Sequence, residues 1–333
     1  MNTLEIDRLR GPVLRSVSRS FYLSLQILPG RLRDPISLAY LLARATDTIA
    51  DTPEPPMELR IEALRNLASV IQGNEPAATA ANIRTSFAPL QSKQTERALI
   101  DALPAALAWL DLLSDRDRDA VRIVLQKINR GQMLDLERFG AGGGIRALPR
   151  AADLDEYTYL VAGCVGEFWT HLGFAHVQNF CDRSEPEMLS LGVQYGRGLQ
   201  LINILRDIGA DLRAGRCYLP ADELHSLGLT SGEILAKPAR VDSIIQSWRE
   251  KAENGLTAGI EYACAIRSRR IRFATALPAL IGARTLVLMR EAGAGVFERT
   301  VKVPRAGVKK IVASAALSFA SPSSLRRMFE RLS

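Results

Sequence analysis

The sequence predicts an all-α protein, folded as a single large helical bundle over residues 1–333. Apolar residues recur at spacings of three and four along almost the whole chain. Gly and Pro gather at a few breaks, and no segment shows the strand-like alternation that hairpins require. With 47% hydrophobic residues, a chain of 333 residues can bury a large core. One helical domain is therefore the simplest architecture.

Ten helices are predicted from this periodicity and from the breaks between the apolar runs. The predicted spans are 12–28, 34–52, 57–72, 94–112, 116–139, 153–180, 186–213, 240–267, 270–293 and 304–318. Pro104 lies inside the fourth span and is expected to kink or split it, because proline lacks the N–H that a helix interior needs. Residues 296–333 form a basic, partly apolar C-terminal segment of the same domain.

The charge balance narrows the classes of partner. Lys and Arg number 43 against 36 Asp and Glu, and the resulting net charge of +7 suits an anionic substrate, an anionic membrane or nucleic acid. Aromatic residues make up only 6% of the chain and none of its segments alternates Arg with stacking aromatics, so we expect no nucleic-acid partner. The oligomeric state stays open.

The cysteines and the apolar runs bear on location. Four scattered cysteines form no C-x-x-C pair, which argues against a disulfide framework or a zinc site and favours a cytoplasmic protein. The start of the chain lacks a signal-peptide pattern, and none of the segments reaches about 20 apolar residues. The interrupted apolar stretch Val303–Ala320, with basic residues after it, predicts peripheral contact with a membrane; a solvated basic tail is the alternative.

The first group of candidate functional residues lies in the second predicted helix. Tyr40, Arg44, Asp47 and Asp51 follow one another at spacings of four, three and four, which places them on one helical face. The D-x-x-x-D spacing is not specific by itself, since Asp115 and its neighbours repeat it in a polar surface stretch. Asp47 follows the apolar run ISLAYLLA, however, and a buried pair of like charges is costly without a cation. A chance surface pair is the alternative.

The second group repeats this device in the seventh predicted helix. Gln200, Asn203, Asp207 and Asp211 share a face beside an apolar run. Carboxylates without Cys or His are the ligands that Mg²⁺ prefers, together with substrate phosphates and water. Two such helices facing one another would form a site for several metal ions and a diphosphate. The alternative is a helix end at which Arg206 and Arg213 neutralise the aspartates.

Four segments together resemble the squalene/phytoene synthase family, which couples two prenyl diphosphates head to head. They are Ser18-Arg19-Ser20-Phe21, the Tyr40–Asp51 segment, Tyr157 through Gly166, and Gln200 through Asp211 followed by Gly215 to Pro220. Their order and spacing fit the family, and the resemblance spans roughly residues 15–310. It implies a bundle of the isoprenoid synthase type with a central apolar cavity.

The resemblance also implies a role for each matching residue. Asp47, Asp51, Asp207 and Asp211 are expected to bind Mg²⁺. Arg44 and Arg206, with Arg19, are expected to contact diphosphate oxygens, in a substrate site that includes Ser18, Gln200 and Asn203. Tyr157 matches a tyrosine near the reacting carbons, and Tyr40 matches another that lines the site. The plainer alternatives are a core phenol for Tyr157 and a structural ion pair for Arg19.

The implied reaction joins two farnesyl diphosphate molecules to presqualene diphosphate and then, with hydride from NADPH, gives squalene. The segment Val301-Lys302-Val303-Pro304-Arg305 resembles the basic stretch with which squalene-forming members hold NADPH, so Lys302 and Arg305 are the expected cofactor contacts. Pro304 departs from that stretch. Phytoene, dehydrosqualene and hydroxysqualene are the alternative products within the family, and a non-catalytic helical scaffold is the alternative of another class.

Overall fold

The structure, a computed structural model, describes residues 3–18, 21–140, 142–318 and 321–333, and α-helices dominate these ranges. In chain order they are α1 (Thr3–Arg8), α2 (Leu14–Ser18), α3 (Phe21–Ile27), α4 (Gly30–Asp51), α5 (Met57–Gln72), α6 (Ala78–Phe87), α7 (Gln94–Asp101), α8 (Leu103–Asp111), α9 (Asp115–Phe139), α10 (Ala151–Thr158), α11 (Cys164–His176), α12 (Glu185–Arg213), α13 (Ala221–Ser226), α14 (Asp242–Ala265), α15 (Arg269–Ala292), α16 (Arg305–Ser318) and α17 (Pro322–Leu332). The predicted all-α class is confirmed.

The non-helical elements are short. Strands β1 (Arg146–Leu148) and β2 (Arg216–Pro220) pair in parallel. The segments Leu9–Val13 and Tyr159–Gly163 form π-turns, in which the helix is locally wider and accommodates one extra residue. The strand pair is too short to show an alternating pattern, so the sequence did not predict it.

The described residues fall into two compact units. The first contains residues 3–140 and His171–His176. Its long helix α4 begins after Pro29 and ends at Asp51, and the backbone becomes extended at Thr52, before Pro53. Leu38, Leu42 and Ile49 of α4 are fully buried, and α4 packs against α5, α7, α8 and α9. The apolar stripe of α4 is buried in the core. The polar face of α4 therefore lies where neighbouring helices can bring charged groups close to it.

The second unit contains residues 142–170 and the chain from Val177 onward, with α12 at its centre. Ser184 and Glu187 form a capping box at the start of α12, which fixes where the helix begins. Helix α12 packs against α14, α15 and the π-turn Tyr159–Gly163. Glycines also allow α11 to approach α12 closely: a Cβ on Gly166 would lie 2.0 Å from the carbonyl oxygen of Gly192. The backbones of α11 and α12 therefore touch at this point.

The last two helices, α16 and α17, pack on α15, and α17 also packs on α14. Arg326 of α17 holds Glu261 of α14 with two bonds, Nε to Oε1 at 2.7 Å and Nη2 to Oε2 at 2.9 Å. Arg183 reaches Oε2 of the same carboxylate at 3.1 Å. These hydrogen bonds hold Glu261 ionised, and the pKa of its carboxyl is lowered from the ordinary value near 4.5, chiefly by Arg326. The C-terminal helix is thus fixed to the second unit.

One stretch of the described chain, Arg269–Phe297, is long and apolar enough to cross a membrane, because it contains an 18-residue window with a mean hydropathy of 1.4. Arg284 interrupts the apolar residues of this stretch, so it contains no unbroken run of about 20 apolar residues. The apolar window is 72% buried inside the protein, which is typical of a core helix. Its burial explains why it is so apolar without requiring a membrane.

The predicted spans match most helices closely, and the differences have local causes. Pro104 splits the fourth span into α7 and α8, as expected. The span 153–180 is broken by the π-turn and ends at His176. Four helices were missed, α1, α6, α13 and α17, which are at most 11 residues long and rich in polar or small side chains. Short helices of this kind gain their stability from packing rather than from their own periodicity.

Candidate functional site

The first unit gathers four carboxylates, which we call the first acidic cluster: Asp47, Asp51, Glu96 and Asp135. Asp47 and Asp51 lie one turn apart on α4, as predicted. Glu96 of α7 and Asp135 of α9 add negative charge near Asp47, because both helices pack on α4. The sequence alone did not identify Glu96 and Asp135 as members of this cluster. Only a prediction of which helices are neighbours could have found them.

Negative charge exceeds positive charge in the first acidic cluster. The pKa of the Asp47 carboxyl is raised from its ordinary value near 3.8 to about 6, first by burial and then by the negative charge of Asp51. Arg44 opposes this shift with an ion pair to Asp47. The Asp47 side chain still keeps 39% of its surface exposed, so solvent and small ions reach it. A cation placed beside Asp47 would offset the excess negative charge.

The other predicted residues of the first unit have defined contacts. Arg44 pairs with Asp47 and also donates from Nη2 to Glu96 Oε1 at 3.1 Å. Tyr40 donates its hydroxyl to the carbonyl oxygen of Val17 at 3.2 Å, and its ring lies 5.3 Å from that of Phe21. These contacts hold Tyr40 and Arg44 on the polar face of α4.

Ser18 is buried, and its Oγ donates to the carbonyl of Leu14 at 2.6 Å within the same stretch of helix. The hydroxyl is therefore engaged with its own backbone in this structure. Its substrate contact stays a prediction. Arg19 lies outside the described residues, and its predicted contact with diphosphate stays a prediction too.

The second unit holds the second acidic cluster, Asp207 and Asp211 of α12. Arg206 pairs with Asp207, with its Nε 3.2 Å from Oδ1. Arg216, the first residue of β2, donates from Nη2 to Asp211 Oδ1 at 2.7 Å. Arg213, which the sequence suggested as a neutralising partner, instead donates to the carbonyl oxygen of Phe297 at 2.7 Å. The strand β2, and not the end of α12, provides the cation at Asp211.

Gln200 and Asn203 continue the same face of α12 toward its N-terminus. Asn203 Nδ2 lies 3.4 Å from Gln200 Oε1, which confirms that the two amides are neighbours on that face. The amides and the two carboxylates thus line three successive turns of one helix. Their predicted contacts with substrate stay predictions.

Tyr157 lies at the end of α10, and its ring stacks on that of Tyr218 with 5.2 Å between centroids and an interplanar angle of 25°. Tyr218 is buried in β2, two residues after Arg216. One short strand therefore contacts both Tyr157 and the second acidic cluster. The stacking fixes the Tyr157 ring, and its predicted role near the reacting carbons stays a prediction.

Two residues after Tyr157, Tyr159 makes a polar contact that the sequence did not predict. The Tyr159 hydroxyl donates to the Glu167 carboxylate, 3.0 Å from Oε1 and 3.1 Å from Oε2. The Arg197 guanidinium of α12 lies 5.4 Å from the Tyr159 ring centroid, a distance typical of a cation–π contact. The signal in the sequence was Glu167 itself, a charged residue inside the apolar run CVGEFWTHLGF.

The donor set fits Mg²⁺. Within the described part of the chain, no three His, Cys, Asp or Glu side chains are grouped closely enough to hold a metal by themselves. Magnesium does not need such a cage, because it commonly binds one or two carboxylates together with waters and substrate phosphates. Both acidic clusters offer hard oxygen ligands, and burial followed by the negative charge of Asp51 raises the pKa of Asp47.

The predicted NADPH contacts lie at the start of the C-terminal helices. Lys302 belongs to an irregular stretch before α16, and Arg305 is the first residue of α16. Both side chains are exposed. Their exposure leaves them available to a phosphate group, and the cofactor contact stays a prediction.

Comparison with known proteins gives consistent matches. A family model described as squalene/phytoene synthase matches residues 14–307. The presqualene diphosphate synthase of Zymomonas mobilis is 30% identical over 246 residues, 72% of this chain and 70% of that protein. A bifunctional lycopene cyclase/phytoene synthase of Phaeosphaeria nodorum is 30% identical over 244 residues, and this chain spans only 38% of its length.

Among solved structures, a complex of TcSQS with a ligand superposes with a TM-score of 0.79. The match covers 99% of this chain and 90% of that chain at 19% sequence identity. At this identity the likeness shows the fold alone. It agrees with the isoprenoid-synthase-type helical fold that the sequence resemblance implied.

Proposed function

The chain belongs to the squalene/phytoene synthase family, whose members are prenyltransferases. From this premise we propose that it joins two farnesyl diphosphate molecules head to head to give presqualene diphosphate. The observation that carries the proposal is that the family match runs through both acidic helices with their arginines in place. A non-catalytic scaffold would have no need to keep this costly arrangement of like charges.

The carboxylates divide into two binding faces. Asp47 and Asp51 would hold Mg²⁺ on α4, and Asp207 and Asp211 would hold it on α12. When bound, Mg²⁺ neutralises the diphosphate and so makes it a better leaving group. Our expectation from the sequence that the two acidic helices face one another stays a prediction.

Arg44 and Arg206 prepare the diphosphate site before substrate arrives. Each guanidinium is held by an aspartate of its own helix, Arg44 by Asp47 and Arg206 by Asp207. Their planar N–H groups are the donors that would bind phosphate oxygens. The arginines stabilise the negative charge that accumulates on the departing diphosphate.

The remaining steps require proton removal and protection from water. Loss of diphosphate from one farnesyl group leaves an allylic cation, which the double bond of the second farnesyl group attacks. Loss of a proton then closes the cyclopropane ring of presqualene diphosphate, and Tyr157 or the released diphosphate accepts that proton. Stacking on Tyr218 keeps the Tyr157 ring in one orientation for this role. The apolar residues of the helical bundle exclude water, which would otherwise quench the cation.

Squalene is the second candidate product, formed by reduction of presqualene diphosphate with NADPH. The exposed Lys302 and Arg305 support this proposal, because two cations three residues apart can bind the phosphate of the cofactor. Phytoene, made from geranylgeranyl diphosphate, is the product named for the phytoene synthase relatives. Incubation of the purified protein with each diphosphate and Mg²⁺, with and without NADPH, followed by product analysis, separates these products.

The metal assignment is tested by substitution. Asp47→Asn and Asp207→Asn are expected to lower turnover by at least about 100-fold, because each removes a carboxylate that would hold the Mg²⁺ needed to neutralise the leaving diphosphate. Asp115→Asn is the matched control, since Asp115 has the same D-x-x-x-D spacing and is 90% exposed. Chelation of Mg²⁺ should abolish activity, and added Mg²⁺ should restore it. Full activity in Asp47→Asn, or no product from either diphosphate, would refute the proposed function.

A further inference from the structure

The two C-terminal helices enclose a basic cleft that the proposed reaction does not use. Helices α16 and α17 pack against each other and leave a cleft of about 310 Å³ between them. Every charged side chain that lines it among the described residues is cationic. These are Lys310 of α16 and Arg327 and Arg331 of α17, all three exposed.

The cleft combines these cations with hydroxyl groups and an apolar floor. Ser314 and Ser324 line it from the two helices, and buried Ile311 and Met328 form its base. Arg327 donates from Nη2 to Ser324 Oγ at 3.1 Å, which holds the guanidinium at the rim. Guanidinium, ammonium and hydroxyl donors around one recess are the groups that bind phosphate oxygens.

Arg326, which precedes Arg327 in the chain, makes a different contact and does not line the cleft. Arg326 points to the other side of α17 and binds the carboxylate of Glu261 with both Nε and Nη2. That contact fixes α17 to the protein. Arg327, one residue later, is rotated by about 100° on the helix and faces the cleft. The basic face of α17 is therefore held rigidly and presented outward.

The positive charge extends beyond the cleft itself. The range 305–332 contains six basic residues and one acidic residue. Arg305 and Lys309 are exposed, like the three cations of the cleft. Clusters of about four to eight cations on a surface helix are typical of segments that bind anionic lipid. A single free phosphate would engage only the cleft, whereas a charged bilayer would attract the whole helix pair.

We propose that α16 and α17 form a docking site for a membrane that contains anionic phospholipid, with one lipid phosphate seated among Lys310, Arg327 and Arg331. The cleft is large enough for a headgroup and too small for a whole lipid, so the acyl chains remain in the bilayer. The protein then lies on the surface by electrostatic attraction. No membrane-spanning segment is required.

The test uses the whole 333-residue chain and sedimentation with vesicles. We expect binding to vesicles of phosphatidylcholine with phosphatidylglycerol, little binding to phosphatidylcholine alone, and loss of binding at high salt. The variant Lys310→Gln/Arg327→Gln/Arg331→Gln should bind roughly 100-fold more weakly, at roughly fivefold for each cation removed. Inorganic phosphate is included as a competitor in a separate arm.

The control variant carries the same change of net charge elsewhere. Arg65, Arg84 and Arg116 are exposed residues of the first unit, and Arg65→Gln/Arg84→Gln/Arg116→Gln should keep vesicle binding within about twofold. Circular dichroism checks that both variants are folded. Turnover of soluble substrate without vesicles should be unchanged in the cleft variant, so this test is independent of the proposed reaction.

Three results would overturn the proposal. The first is equal binding of the wild-type protein to neutral and anionic vesicles, or no binding to either. The second is an equal loss of binding in the cleft and control variants, which would mean that only net charge matters. The third is complete displacement by inorganic phosphate at unchanged ionic strength, which would identify a site for free phosphate.

Discussion

The contact between α11 and α12 predicts that Gly166 does not tolerate a side chain. A Cβ on Gly166 would lie 2.0 Å from the oxygen and 2.2 Å from the carbon of the Gly192 carbonyl. Ordinary contact begins near 3.4 Å, so the helices would have to separate by about 1.4 Å. The obstructing atoms belong to backbone, which cannot rotate away as a flexible side chain would.

The magnitude follows from two opposing effects of Gly166→Ala. Alanine favours the helix by about 1 kcal/mol relative to glycine. Overpacking in a dense interior costs about 1–3 kcal/mol, and more where backbone must move. Because backbone must move here, we take the overpacking cost at the top of its range and expect a net loss of about 2 kcal/mol in the free energy of unfolding. Turnover should fall as well, because α12 carries Asp207 and Asp211.

The assay is urea denaturation followed by circular dichroism, with midpoints and slopes compared. Gly232→Ala is the matched control, because a Cβ at Gly232 would meet nothing within 4 Å. Its free energy of unfolding should stay within about 0.5 kcal/mol of wild type, or rise slightly. If Gly166→Ala proved as stable as Gly232→Ala, the close contact between α11 and α12 would be wrong.

Three further predictions concern single side chains. Glu261→Gln breaks the ion pair with Arg326 and should lower the free energy of unfolding, measured by urea denaturation at neutral pH, by about 1 kcal/mol. Because the pKa of Glu261 is lowered, this advantage of the wild type should persist above about pH 4.5 and disappear at lower pH. Tyr157→Phe keeps the stacked ring, so we expect an unchanged melting temperature with kcat about 100-fold lower if the hydroxyl accepts the proton. Glu167→Gln replaces the charged acceptor of the Tyr159 hydroxyl and should lower the free energy of unfolding by about 1 kcal/mol.

Each of these has a contrary outcome. A stability difference between wild type and Glu261→Gln that grows as pH falls would contradict the lowered pKa. Equal kcat in Tyr157→Phe and wild type would leave released diphosphate as the proton acceptor. A Glu167→Gln protein as stable as wild type would mean that the contact with Tyr159 contributes no net stability.

The sequence predicted those parts of the candidate site that depend on one helix. Asp47 and Asp51 lie four residues apart, and helical geometry alone places them on the same face of α4. The same holds for Gln200 and Asn203, whose amides are neighbours in the structure. The capping and breaking residues located most helix ends for similar reasons, as Pro104 shows between α7 and α8.

Contacts between distant parts of the chain could not be predicted in this way. Glu96 is 52 residues from Arg44, and only the packing of α7 on α4 brings the two together. Arg216 replaces Arg213 as the partner on α12 because the turn at Gly215 sends the chain back along Asp211. Gly215 has a positive φ of 83°, which makes that reversal possible. The cytoplasmic location stays a prediction.

The π-turn at Tyr159–Gly163 lies between two contacts that need different rotations about the helix axis. On one side Tyr157 stacks on Tyr218, and on the other Gly166 meets Gly192. Each residue advances a regular helix by about 100°, so removing one residue at the π-turn would swing one contact away while keeping the other. The extra residue of the π-turn sets the rotation between the helical turns before and after it, so that both contacts form. Deletion of Leu160 should therefore lower the free energy of unfolding far more than the substitution Leu160→Ala.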